Sequence, residues 1–160
     1  MKGTLLNIKD LHGFIEEQRE NGKKIVFTNG CFDIVHVGYM KLLNEAKSQG
    51  DVLIVGLNSD SSIQRIKDAT RPINNYSDRA EILLNIRSVD YVVGFDDTTP
   101  VNIINIIKPD IHVKGGDYTI DDVDNFPEQE VVLSYGGKVV IVELIKGKST
   151  SNLLKKLDEI

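Results

Sequence analysis

One cysteine, Cys31, is all the thiol that this 160-residue chain carries. That excludes an intramolecular disulfide, and a lone cysteine without zinc-ligand spacing argues against a structural metal site. Apolar runs are short too: none approaches the ~20 residues that a membrane span needs. Met1-Lys2-Gly3-Thr4 lacks a secretory apolar core and cleavage site, so no membrane association and a cytoplasmic location are expected. Excess positive charge is also missing. The formal net charge is −5, with lysines and arginines scattered, which does not favour nucleic acid as a partner. Anionic substrates stay compatible if those few cations converge on one site. Repeats, low-complexity tracts and linkers are absent, so a single domain over residues 1–160 is expected.

What is present is an alternation of short apolar runs with helical patterns. The apolar fraction of 41% is ordinary for a globular protein. Residues 7–21 read as an amphipathic helix closed by Gly22. Ile25-Val26-Phe27, Val52 to Leu57, Tyr91 to Phe95, Ile111 to Lys114 and Lys138 to Leu144 read as five strands. The second of these is a near-continuous apolar run, as a buried parallel sheet requires. Helices are expected at 40–49, 60–67, 78–87 with Ser77 as cap, from Thr99-Pro100 to Ile107, near 127–135, and from about Ser149. Strands alternating with helices imply right-handed βαβ units. The fold class is therefore α/β: a Rossmann-like, doubly wound, mostly parallel five-stranded sheet with helices on both faces.

The densest chemistry lies between the first strand and the helix after it, in Thr28-Asn29-Gly30-Cys31-Phe32-Asp33-Ile34-Val35-His36-Val37-Gly38-Tyr39. A glycine-containing turn brings a histidine to a helix start at the carboxyl end of a strand. Open α/β sheets bind ligands there, and helix N-termini suit phosphate. His36 by itself reads either as a cap or packed residue, or as a donor to phosphate oxygens. Cys31 reads as a small residue packed under the loop, or as a nucleophile. His112 reads as structural, within its strand.

The segment resembles the signature of the nucleotidyltransferase superfamily that joins a nucleoside triphosphate to a phosphorylated small molecule. Gly30, Phe32, Asp33, His36 and Gly38 match that signature, while Tyr39 stands where it has a second histidine. That tyrosine is either an adequate substitute, the mark of a weakened site, or an engineered position. Asn58-Ser59-Asp60, Thr70-Arg71-Pro72-Ile73-Asn74, Val113-Lys114-Gly115-Gly116-Asp117-Tyr118 and Lys148-Ser149-Thr150-Ser151-Asn152 extend the resemblance over nearly the whole chain. At finer grain these blocks resemble the adenylyltransferases that make ADP-heptose from heptose 1-phosphate, in their stand-alone form without a fused sugar kinase.

The resemblance implies strand order 3-2-1-4-5, ATP as donor, a sugar 1-phosphate as acceptor, and direct in-line transfer with release of pyrophosphate. It implies His36 and Lys67 as catalytic residues. Asn29, Gly30, Phe32, Asp33, His36, Gly38, Tyr39, Lys114, Gly115, Asp117, Ser149, Thr150 and Ser151 would bind the nucleotide. Asp33, Arg71 and Arg79 would bind the acceptor. Mg²⁺ would travel with the triphosphate, with no dedicated metal ligands, and a homodimer is expected. The alternatives are a cytidylyltransferase for glycerol 3-phosphate or a similar acceptor, and a catalytically impaired nucleotide-binding subunit.

Overall fold

Six short strands, all parallel, form one sheet in the order β1-β4-β3-β2-β5-β6 in a computed structural model that describes residues 1–116 and 126–160. They are β1 (Thr4–Leu6), β2 (Ile25–Gly30), β3 (Val52–Asn58), β4 (Tyr91–Phe95), β5 (Ile111–Gly115) and β6 (Lys138–Val142). The helices are α1 (Leu11–Glu20), α2 (Val37–Ser48), α3 (Asp60–Ile66), α4 (Tyr76–Leu84), α5 (Val101–Ile107), α6 (Pro127–Ser134) and α7 (Thr150–Asp158). All seven residues of β3 are buried, which accounts for its unbroken apolar run.

Two apolar layers cover the sheet. On one face Leu42, Leu43 and Ala46 of α2 and Leu83 of α4 pack against Val26, Leu53, Val55 and Val113. On the other, Leu11 and Ile15 of α1 and Ile103, Ile104 and Ile107 of α5 pack against Ile25, Phe27, Ile54 and Val93. Burying so many branched aliphatic side chains, at roughly 1.5–3 kcal/mol each, is the main force holding the sheet between its helices.

Three local expectations need correction. The sheet has six strands, not five: Thr4–Leu6 pairs with Tyr91–Val93 at the edge, and removing it leaves the expected order. Its first two residues are exposed, so it lacks the apolar pattern that marks the others. The fourth helix starts at Tyr76, capped by the Asn75 side chain accepting from Asp78 N–H, not by Ser77. Pro100, rather than Thr99, occupies the cap position of α5 and supplies no side-chain cap.

The chain winds outward from β2 in both directions, through β3 and β4 on one side and β5 and β6 on the other. The carboxyl ends of β2 and β5 therefore flank the point where the winding reverses. Crevices at such points are where doubly wound sheets bind ligands.

Candidate active site

A cleft of about 400 Å³ opens at that reversal point. Asn29 at the end of β2 and Val113, Lys114 and Gly115 at the end of β5 form its floor, and the starts of α2 and α7 form one wall. Lys67 and Arg71, from the loop after α3, line it as well.

His36 is both a cap and a cleft residue. Its Nδ1 accepts from Gly38 N–H at 3.1 Å, satisfying one of the free donors of α2. Gly38 permits this: a Cβ there would stand 2.8 Å from His36 Cε1 and 2.9 Å from Nδ1. The same Cβ would lie 3.5 Å from Lys148 O, so the first turn of α2 abuts the segment leading into α7. Ser149 caps α7 by accepting from Asn152 N–H at 3.1 Å, and Thr150 Oγ1 donates to Ile34 O at 3.3 Å. Two helix N-termini thus converge on one cleft, each carrying about half a positive charge from its aligned peptides.

The motif loop is shaped under constraint. Phe32 adopts φ 46°, a left-handed conformation that costs a side-chain-bearing residue roughly 1–2 kcal/mol. The turn buries its ring, and Gly30 gives it room, since a Cβ there would sit 3.1 Å from Phe32 Cε2.

Asp33 lies behind the cleft wall, with 1% of its surface exposed. Its carboxylate accepts from Arg71 Nε at 2.8 Å, Ile73 N–H at 2.9 Å and Asn74 N–H at 2.9 Å, while Asn74 Nδ2 donates to Asp33 O at 2.7 Å. Burial alone would raise the pKa of this carboxyl. The two backbone N–H groups and the Arg71 guanidinium outweigh it and hold the pKa below the usual carboxylate range.

Arg79 takes a position different from the expected one. Its side chain is fully buried and does not line the cleft. It donates to Asn74 O at 2.9 Å, Cys31 O at 2.7 Å, Asn58 O at 2.8 Å and Asp60 Oδ1 at 2.8 Å. With its donors spent on three chain segments, it braces the motif loop from below rather than reaching an acceptor. Asp33 likewise braces, and Gly30 makes room for Phe32 instead of lining the cleft. Asp117 lies outside the described residues.

The other expected residues come together. Asn29, Phe32, His36, Gly38, Tyr39, Lys67, Arg71, Lys114, Gly115, Ser149, Thr150 and Ser151 all line the cleft. Lys67 Nζ makes no hydrogen bond or ion pair among the described residues and is available to an anion. Lys114 is engaged: it pairs with Glu128 at 2.5 Å, and its ammonium lies 3.6 Å from the centroid of the Phe126 ring.

Leu42, Val113, Leu144 and Lys148, not expected at the site, also line the cleft, as does Cys31, which reads from sequence as a packed residue or a nucleophile. Lys148 had a signal, one residue ahead of the cap of α7. The leucines had none, because they read as core. Burial raises the pKa of the Cys31 thiol despite Lys67, Arg79 and Arg71 nearby, which leaves it a weak nucleophile. Burial also drives the pKa of His112 down to about 4 and keeps it neutral; its Nε2 lies 3.0 Å from Asn29 Oδ1 and orients that cleft residue.

Residues 27–156 match the family described as Cytidylyltransferase-like. The chain belongs to that family. It is 50% identical over 151 residues to the bifunctional protein HldE of Geobacter metallireducens, covering 94% of this chain and 30% of the relative. It is 53% identical over 138 residues to the bifunctional protein HldE of Aliarcobacter butzleri, covering 86% of this chain and 28% of the relative. The chain thus spans about 30% of the length of these curated relatives. Among solved structures, the lipopolysaccharide core biosynthesis protein of Thermoplasma volcanium superposes with a TM-score of 0.63 at 28% identity, covering 78% of this chain and 98% of that one. The pantoate-beta-alanine ligase of Francisella tularensis shares the fold, with a TM-score of 0.65 at 16% identity over 100% of this chain and 79% of that one. Family membership identifies the domain as a nucleotidyltransferase. No described helix is long and apolar enough to cross a membrane.

Proposed function

We propose that this chain transfers an adenylyl group from ATP to a sugar 1-phosphate, heptose 1-phosphate in the first instance, giving an ADP-sugar and pyrophosphate. The observation that carries this reading is the convergence of two helix N-termini with Lys67, Arg71 and Lys148 on one cleft. A triphosphate and a phosphomonoester together bring several negative charges, and this is the place in the fold built to receive them.

In the proposed step an acceptor phosphate oxygen attacks the α-phosphorus, a new P–O bond forms, and the α–β bridge breaks as pyrophosphate leaves. Positioning and charge stabilisation supply the catalysis. His36 donates to the α-phosphate, Lys67 offsets charge building up beside it, and the start of α7 holds the outer phosphates through Ser149, Thr150 and Ser151. Arg71, with Nε fixed on Asp33, turns its outer nitrogens to the acceptor phosphate. Asn29 and Gly115 line the side left for the nucleoside. The donors at the cleft are cations, hydroxyls and N–H groups, so Mg²⁺ fits as part of the nucleotide complex, neutralising charge from the phosphates and water that hold it.

The resemblance of the sequence blocks to adenylyltransferases that make ADP-heptose favours ATP over CTP and a heptose phosphate over glycerol 3-phosphate, and the likeness to HldE relatives and to a lipopolysaccharide core biosynthesis protein agrees with it. Pyrophosphate release with Mg²⁺, crossing ATP and CTP with heptose 1-phosphate and glycerol 3-phosphate, tests the reading. Release with ATP and the sugar phosphate is expected. Release only with CTP and glycerol 3-phosphate would replace it with the cytidylyltransferase alternative. Nucleotide binding without release from any pair would favour an impaired subunit.

A further inference from the structure

We propose that Tyr39 is a positioning residue: it holds the cleft imidazole in one plane, on which the helix cap fixes one tautomer, so that His36 works as a neutral Nε2–H donor. The proposal rests on the nucleotidyl-transfer reading above, and two contacts carry it.

The first fixes the proton. His36 Nδ1 accepts from the backbone N–H of Gly38. A backbone N–H can only donate, so Nδ1 is the bare nitrogen, and the proton of the neutral ring sits on Nε2. Protonating Nδ1 would break the helix cap.

The second fixes the plane. The His36 and Tyr39 rings stack with centroids 4.3 Å apart and 29° between planes. Tyr39 in turn packs on Phe32 at 4.8 Å, a side chain that is buried and set by a left-handed backbone. The imidazole cannot swing without displacing Tyr39, and Tyr39 cannot move without displacing Phe32.

Thr150 Oγ1 donates to Ile34 O, so the first residue of α7 is itself fastened to the motif loop that carries this stack.

The surrounding charges agree. Cys31 and Asp33 come from the loop after β2, Lys67 and Arg71 from the loop after α3, and Lys148 from the segment before α7. The Asp33 carboxylate is occupied by Arg71 and two backbone N–H groups. The other charged groups are cations, which oppose a second positive charge on the ring, and burial acts in the same sense. A histidine at position 39 would add a group that titrates near neutral pH, whereas the tyrosine is an uncharged wall. Charge built up in transfer then falls on Lys67, Arg71 and Lys148.

The test uses the full chain with ¹⁵N-labelled histidine, and His36→Gln assigns the signals. The proposal expects a neutral Nε2–H tautomer for His36 from pH 8 down to 6, unchanged in Tyr39→Phe. It expects a mixture of tautomers or ring protonation within that range in Tyr39→Leu. With ATP and Mg²⁺, Tyr39→Leu should lower kcat about tenfold or more and introduce a pH dependence near the imidazole pKa. An imidazolium or Nδ1–H tautomer at pH 7 in the parent protein would overturn the proposal. So would a Tyr39→Leu protein with parental tautomer and kinetics. The tautomer is read without substrate, so parental protein that shows no nucleotide-induced shifts would count against the function reading alone.

Discussion

Asp33 Oδ2 and Arg71 Nε lie 2.8 Å apart and join the motif loop to the loop after α3. The two residues are 38 positions apart in sequence. Bonds from Ile73 and Asn74 to Asp33 and the bridging Arg79 fasten the same two loops, and the Asp33 carboxylate is the centre of this clasp. Asp33→Asn keeps the shape but replaces an acceptor by an amide donor facing backbone N–H groups. A loss of about 2–3 kcal/mol is expected, read as a fall of roughly 5–10 °C in melting temperature. Parental melting would show that the clasp carries no stability.

The same carboxylate makes the cleft acid-sensitive. Its folded pKa lies below its ordinary value of 3.8, so its contribution is complete above pH 3.8 and fades as pH falls through the folded value. Asp33→Asn should flatten that part of the stability curve below pH 4. An unchanged acid limb would place the acid sensitivity elsewhere.

His112 acts over a higher window. Buried and neutral with a pKa of about 4, against 6.5 in the unfolded chain, it binds its proton only after the unfolded state has done so. Stability should therefore be unaffected above pH 6.5 and fall as pH drops from 6.5 to 4, by about 3 kcal/mol in all. Urea midpoints of the parent and His112→Gln across this range measure the difference; equal slopes would contradict the assignment.

Arg79 shows where the sequence was legible and where it was not. The strands could be read because β2, β3, β4 and β5 are apolar runs bounded by turn residues, and α2 and α7 because polar caps precede apolar periodicity. His36, Lys67, Arg71 and Ser149 to Ser151 could be placed because their blocks carry family spacing. An arginine in Ser77-Asp78-Arg79-Ala80 reads as a solvated or ligand-facing cation, and nothing local reveals its burial. Its partners Cys31, Asn58 and Asp60 belong to other elements and meet it only once the sheet and α4 have docked. The edge strand β1 escaped for the opposite reason, because three residues, the first two exposed, carry too little pattern.

From that burial follows a specific expectation. Arg79→Lys keeps the charge but cannot serve four acceptors with a planar fork. A loss of about 3 kcal/mol in urea unfolding is expected, together with acceptor KM values close to parental in the protein that remains folded. A large rise in acceptor KM with unchanged stability would restore Arg79 to the substrate site.

Gly38→Ala separates site geometry from fold stability. The new methyl would meet the imidazole at under 3 Å, while no strained backbone angle opposes alanine there. The nearest obstacle is a side chain rather than backbone, so the clash is met by pushing the imidazole off its stack on Tyr39 while the helix persists, and alanine is a better helix former than glycine by roughly 0.5–1 kcal/mol. What is lost is the cap bond and the fixed aim of Nε2. Losing one preorganised donor typically costs 10²–10³ in kcat, so a drop of about a hundredfold with a nearly unchanged urea midpoint is expected. A matching fall in stability would mean that Gly38 serves the fold rather than the imidazole, and parental turnover would mean that the aim of His36 does not limit the reaction.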